Sequence, residues 1–167
     1  LVLLITMSAY FSATETAYSS LNKIKLKSIA NKGNKKAKLA LELSEKYDSV
    51  ISTILIGNNI VNIATASLAT VLFTKLLGSS GVTVSTIVMT ILILIFGEIS
   101  PKSIAKDIPE SFAIFSAPLL NVFCIILKPV NHIFCLWKKL ISKVLKIQKH
   151  SGITEDEILT IAEEAEN

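Results

Sequence analysis

Long apolar runs that are almost free of charge constrain this chain more than any other feature. Residues 50–77 carry no ionisable side chain before Lys75, and residues 82–97 carry none at all. A third run, residues 1–21, is apolar at first and then rich in Ser, Thr and Ala, with Glu15 as its one acid. Crossing the hydrocarbon core of a bilayer takes about 20 such residues as a helix. With hydrophobic residues at 51% and charged residues at 18% of 167, against about a quarter charged in soluble domains, the blocks exclude a disordered chain. They also speak against a soluble enzyme, and neither a nucleophile–base pair nor a phosphate-cradling glycine loop is visible.

The charges lie between and after these runs. All seventeen basic residues are lysine, seven of them between Lys23 and Lys38 with no acid among them. A second lysine cluster runs from Lys128 to Lys149, and the tail from Glu155 to Glu166 is acidic. The net charge of +4 therefore reads as membrane topology rather than as a nucleic-acid surface. Without arginine there is no bidentate phosphate clamp. Cys124 and Cys135 form no CxxC and read as buried free thiols.

Between the runs, residues 22–46 interleave Ile24, Leu26, Ile29, Leu39, Leu41 and Leu43 with lysines, broken near Gly33-Asn34. This predicts amphipathic helices on the headgroup surface. Gly78-Ser79-Ser80-Gly81 predicts a turn. The stretch from Ser111 to Leu127 is apolar but interrupted by Pro118. A fourth crossing there would place Lys138, Lys139, Lys143 and Lys146 outside, whereas an interfacial course keeps every lysine cluster on one side. The expected fold is an all-α membrane protein. Three transmembrane helices (about 1–21, 50–77 and 82–100) are accompanied by juxtamembrane amphipathic helices (22–46 and 108–149) lying at the lysine-bearing interface. A first domain of 1–150 is then followed by the start of a cytosolic acidic helix over 151–167, with Thr154 as its N-cap. The chain is multi-pass in the cell membrane, with its N-terminus outside and its C-terminus cytoplasmic.

Polar groups inside these runs need a reason, because a charge at the centre of a span costs roughly 2.5–3.5 kcal/mol. Glu15 and Glu98 read either as interfacial helix-end residues or as functional groups. Ser8, Ser12 and Glu15 fall on one helical face, as do Asn58 and Asn62, continued by Thr65 and Ala66. The amides read either as helix-packing hydrogen bonds or as ligands. Pro101 either ends its helix or, if the helix continues, deprives the Gly97 carbonyl of its donor. Hydroxyls, amides, a backbone carbonyl and one carboxylate are all hard oxygen donors. They suit Mg²⁺, Ca²⁺ or an alkali ion rather than copper or zinc.

Three motifs, SAYFSATETAYSSLNKIKLK (8–27), IGNNIVNIATA (56–66) and FGEISPKSIAK (96–106), stand in an order that resembles the transmembrane (DUF21) domain of the CorC/CNNM magnesium transporters. The resemblance implies an all-α domain whose cytosolic-side juxtamembrane helices form a belt. It also implies a homodimer with a largely dehydrated Mg²⁺ site in each subunit, formed at the positions of Ser8, Ser12, Asn58, Asn62, Gly97 and Glu98. It implies Mg²⁺ export, with Na⁺ as the coupling ion, and a following pair of ATP-binding CBS modules, which these residues do not include. Many members have serine where this chain has Thr14. The rival reading is a membrane anchor and dimerisation domain acting on another ion transporter. Neither reading is enzymatic or involves nucleic acid.

Overall fold

A computed structural model describes residues 1–130, which fold as one compact unit. The expectations for 131–149 and for the acidic helix over 151–167 lie outside the described residues. Among the described residues every regular element is helical. Helix α1 (Val2–Ser20) is followed by α2 (Lys23–Asn31) and α3 (Lys35–Glu45). Helix α4 (Tyr47–Leu77) leads through a 3₁₀ turn (Gly78–Ser80) to α5 (Gly81–Leu92). A π-helical segment (Ile93–Ile99) joins α5 to α6 (Ser100–Asp107), and α7 (Pro109–Ile126) follows.

The turns follow from local chemistry. The Asn22 side chain caps α2 by accepting from the Ile24 and Lys25 N–H groups, and Asn34 caps α3 by accepting from Ala37. Between them Gly33 takes φ +90°, a conformation open to glycine at little cost. Gly81 lets α5 fold back on α4, since a β-carbon there would stand 2.4 Å from the Phe73 carbonyl oxygen.

The lateral distribution of side chains is that of helices in lipid. On α4 the buried positions include Gly57, Thr65 and Ala69, while Leu55, Ile60, Ile63, Leu68 and Val71 point outward. Small residues inside allow close helix packing where lipid supplies no hydrophobic drive between helices. Two stretches are long and apolar enough to cross a membrane: Tyr47–Asp107, which doubles back at the Gly78 turn, and Pro109–Ile126. At 19 residues α1 is of spanning length, but its hydroxyls and Glu15 dilute its apolar character. It packs against α4, α6, α7 and the π segment, and buries Ser8, Phe11, Ser12, Thr14 and Ala17.

Helix α7 meets the lysine-bearing end of the bundle at its start and packs on α1, α3 and α4. Glu110, at its start, accepts from the Asn22 N–H (3.1 Å) and from Lys25 Nζ (2.9 Å). Near its end, Cys124 lies beside Thr53, two turns into α4. Between these points the Tyr10 hydroxyl donates to the Ser116 carbonyl (2.8 Å), and the Phe11 and Phe123 rings lie 4.9 Å apart.

The helix of the third apolar run does not end near residue 100 but continues to Asp107. Proline is accommodated because the preceding turn is widened: the Ser100 N–H bonds the Ile95 carbonyl, five residues back. Pro101 supplies no N–H, so it can donate neither to Phe96, five residues before it, nor to Gly97, four before it. The terminator reading of Pro101 is thereby excluded. The helix therefore continues past Pro101, the condition under which the Gly97 carbonyl loses its donor four residues on.

Candidate cation site

Three elements meet at the depth of Ser8. Its hydroxyl lies 2.7 Å from Asn62 Oδ1 and 3.1 Å from Asn58 Oδ1, both on α4. On its other side is the π segment, where a β-carbon on Gly97 would come within 3.0 Å of Ser8 Oγ. Asn62 Nδ2 faces Glu98 Oε1 at 3.5 Å, the outer limit of a hydrogen bond. Ser8 and Gly97 are buried, while Asn58, Asn62 and Glu98 are half-buried. Thus Ser8, Asn58, Asn62, Gly97 and Glu98 converge, from positions as far as 90 residues apart in sequence. Asn59 is exposed.

Ser12 stands one turn further along the same face of α1. It is fully buried, and its Oγ has no hydrogen-bond partner among the described residues. A buried hydroxyl without a partner is uncommon and costs about 1–3 kcal/mol. Glu15, grouped with the two serines by spacing, is instead ion-paired with Lys102 on α6 at 3.2 Å. Thr14 donates to the Tyr10 carbonyl at 2.6 Å. Among the described residues no three His, Cys, Asp or Glu side chains come together, and Glu98 is the carboxylate facing the amides.

The proton count is the main chemical property of this cluster. Three oxygens, Ser8 Oγ and the two amide Oδ1 atoms, share one hydroxyl proton, which serves one amide at a time. Oxygen atoms of Ser8, Asn58, Asn62 and Glu98 thus lie close together between the helices. Such an arrangement favours a hard cation. A cavity of about 260 Å³ between α4 and α5 begins a turn beyond Asn62 towards the Gly78 turn, and Thr70, Ser85, Thr86 and Thr90 contribute to its wall.

A family model described as the cyclin M transmembrane N-terminal domain matches residues 1–167. The chain belongs to this CNNM, or DUF21, family. It is 37% identical to a UPF0053 protein of Haemophilus influenzae over 99% of this chain and 40% of that protein. It is 34% identical to the UPF0053 inner membrane protein YfjD of Escherichia coli, over 95% of this chain and 38% of the relative. A polyamine export protein of Haemophilus influenzae is 28% identical over 98% of this chain and 41% of its own length. The chain therefore spans about two fifths of these curated relatives. As a CNNM transmembrane domain it is a membrane protein.

Sequence spacing grouped Ser8 with Ser12, and Asn58 with Asn62, but two contributors escaped it. Gly57 admits the Phe11 ring, whose Cζ would be 2.5 Å from a β-carbon at position 57. Lys102 engages Glu15, a pairing 87 residues apart. The lysine of SPK was visible, but nothing in the spacing assigned it a partner.

Proposed function

We propose that this domain carries Mg²⁺ across the membrane, exporting it in exchange for Na⁺ and working as a homodimer. The observation that carries this reading is the acceptor-rich cluster of Ser8, Asn58 and Asn62 beside Glu98. Mg²⁺ gives up its water reluctantly. A hydroxyl, two amides and a carboxylate, with Ser12 and the Gly97 backbone beside them, offer oxygen replacements. The π segment supports the same reading, because wide turns inside α-helices are frequent at functional sites.

Three crossings, α1, α4 and α5 with the π segment, accompany the proposal. Helix α7 is taken as interfacial because Glu110 is tied to the lysine-bearing end and a full crossing would put the second lysine cluster on the opposite side. The positive-inside rule then puts that end in the cytosol and the N-terminus outside. The CBS modules implied by the family would attach on the cytosolic side.

The test is Mg²⁺ flux in proteoliposomes holding the full chain, with Glu98→Ala and Asn62→Ala. Both variants should lose flux and remain dimeric by cross-linking. Undiminished flux in both ends the site assignment. The polyamine exporter among the relatives motivates a parallel arm with spermidine. Saturable spermidine flux without Mg²⁺ flux would replace the metal ion by an organic polycation.

A further inference from the structure

Glu15 and Glu98 compete, by position, for one lysine. Lys102 lies four residues after Glu98, and an acid four residues before a base is the favourable orientation of a helical ion pair. Lys102 Nζ is nevertheless engaged by Glu15 across the α1–α6 contact, at 3.2 Å. Glu15 is itself only 28% exposed and Lys102 42%, so the pair sits at the partly buried edge of the bundle. Glu98 is left with the long 3.5 Å contact from Asn62, a neutral donor.

We propose that Glu15 is a positioning residue that sequesters Lys102, keeping the Glu98 carboxylate free for a divalent cation. The inference rests on the cation-carrier reading and deepens it by assigning Glu15 and Lys102 a shared role. Its physical basis is competition. An ammonium on Glu98 neutralises the one carboxylate of the cluster, and an arriving cation must then displace it. A carboxylate on the neighbouring helix removes that competitor at no loss of fold, because Lys102 stays paired. The arrangement also explains an acid at Glu15 that donates nothing to the Ser8 cluster.

This role differs from that of a structural ion pair in its asymmetry. A structural pair is broken equally from either side. Sequestration predicts that Glu15→Gln releases Lys102 onto Glu98 and weakens cation binding, whereas Lys102→Gln removes the competitor and does not. The experiment is an MgCl₂ titration of the full chain in nanodiscs, read by calorimetry and by thermal unfolding. Glu15→Gln should raise the Mg²⁺ midpoint on the order of threefold to tenfold, the range for a helical ion pair strengthened by apolar surroundings. Lys102→Gln should hold or lower it, and Glu15→Gln with Lys102→Gln should return it to the wild-type value. Equal weakening in the two single variants overturns the inference, as does an unshifted Glu15→Gln. Should Glu15→Gln fail to fold, Lys102→Gln alone decides, because a raised midpoint there overturns sequestration. A wild-type chain with no Mg²⁺ response overturns the carrier reading and this inference with it. A responsive wild type with a symmetric loss overturns only the inference.

Discussion

Gly97 and Ser8 approach so closely that a β-carbon on the glycine would stand 3.0 Å from the serine oxygen and 3.4 Å from its Cβ. That hydroxyl is held between the π segment and the two amide oxygens of α4. Gly97→Ala should therefore push Ser8 Oγ by a few tenths of an ångström. For the fold, the gain in helix propensity of about 1 kcal/mol offsets much of the crowding. For the cluster there is no such offset. Thermal unfolding without MgCl₂ should change little, while the stabilisation by MgCl₂ should fall. Gly97→Leu should abolish that response, and an unaltered Mg²⁺ midpoint in both variants contradicts the placement.

Gly57 tests packing apart from ligation. Its place in the GNN motif invites a functional reading, yet the structure puts the Phe11 ring where its side chain would be, with Cζ at 2.5 Å. Gly57→Ala should destabilise the domain by about 1–3 kcal/mol through overpacking. Adding Phe11→Leu should recover part of that loss, a non-additivity expected only of residues in contact. Thermal unfolding of the two single variants and the double variant measures it. Additive losses would mean that ring and glycine do not share the space.

How much of this was legible beforehand depended on the range of the interaction. The apolar run expected over 50–77 appears as α4, Tyr47–Leu77, and the break at Gly33-Asn34 is a glycine at positive φ followed by an asparagine cap. These are local signals. The i, i+4 spacing placed Ser8 with Ser12 and Asn58 with Asn62, because the spacing of a helical face is also local. Pro101 was legible as a disturbance but not in kind. A widened turn that carries the helix on to Asp107 depends on the packing of Ile93–Ile99 against α1, which no single segment encodes. The partners of Glu15 and Glu110 were invisible for a related reason. With seventeen lysines available, only the tertiary fold selects Lys102 for one and Lys25 for the other.

The Glu110 pairing has a consequence for stability against pH. The Lys25 ammonium, with the Asn22 N–H, holds the Glu110 carboxyl below the usual carboxylate range despite its burial. A depressed folded-state pKa contributes stability that is present above the unfolded value. It is lost as pH falls through the folded value. Thermal stability should therefore decline on acidification below about pH 4.5, the ordinary value, and Glu110→Gln should flatten that decline. Lys25 is 65% exposed, so solvent screening limits the pair to about 1 kcal/mol or less. Lys25→Gln should cost no more than that at pH 7. Unfolding temperatures of wild type and both variants from pH 3 to 7 check the sign, and a Glu110→Gln profile as steep as wild type refutes it.

Ser12 separates a structural from a functional cause most cleanly, because the two predict different responses to MgCl₂. Its hydroxyl is fully buried without a partner among the described residues, and so it carries a desolvation cost that its removal would relieve. If Ser12 serves only the fold, Ser12→Ala should stabilise the domain by about 1 kcal/mol and leave the response to MgCl₂ unchanged. If its oxygen joins the cation cluster, Ser12→Ala should show the same gain without Mg²⁺ but a smaller increase on adding it. The two curves should then approach each other as MgCl₂ rises. We expect the second pattern, because Ser12 continues the face of α1 that bears Ser8, and one helical turn is within the reach of a small ion's ligand set. Parallel curves at all MgCl₂ concentrations would remove Ser12 from the site and leave Ser8 as the only hydroxyl contributed by α1.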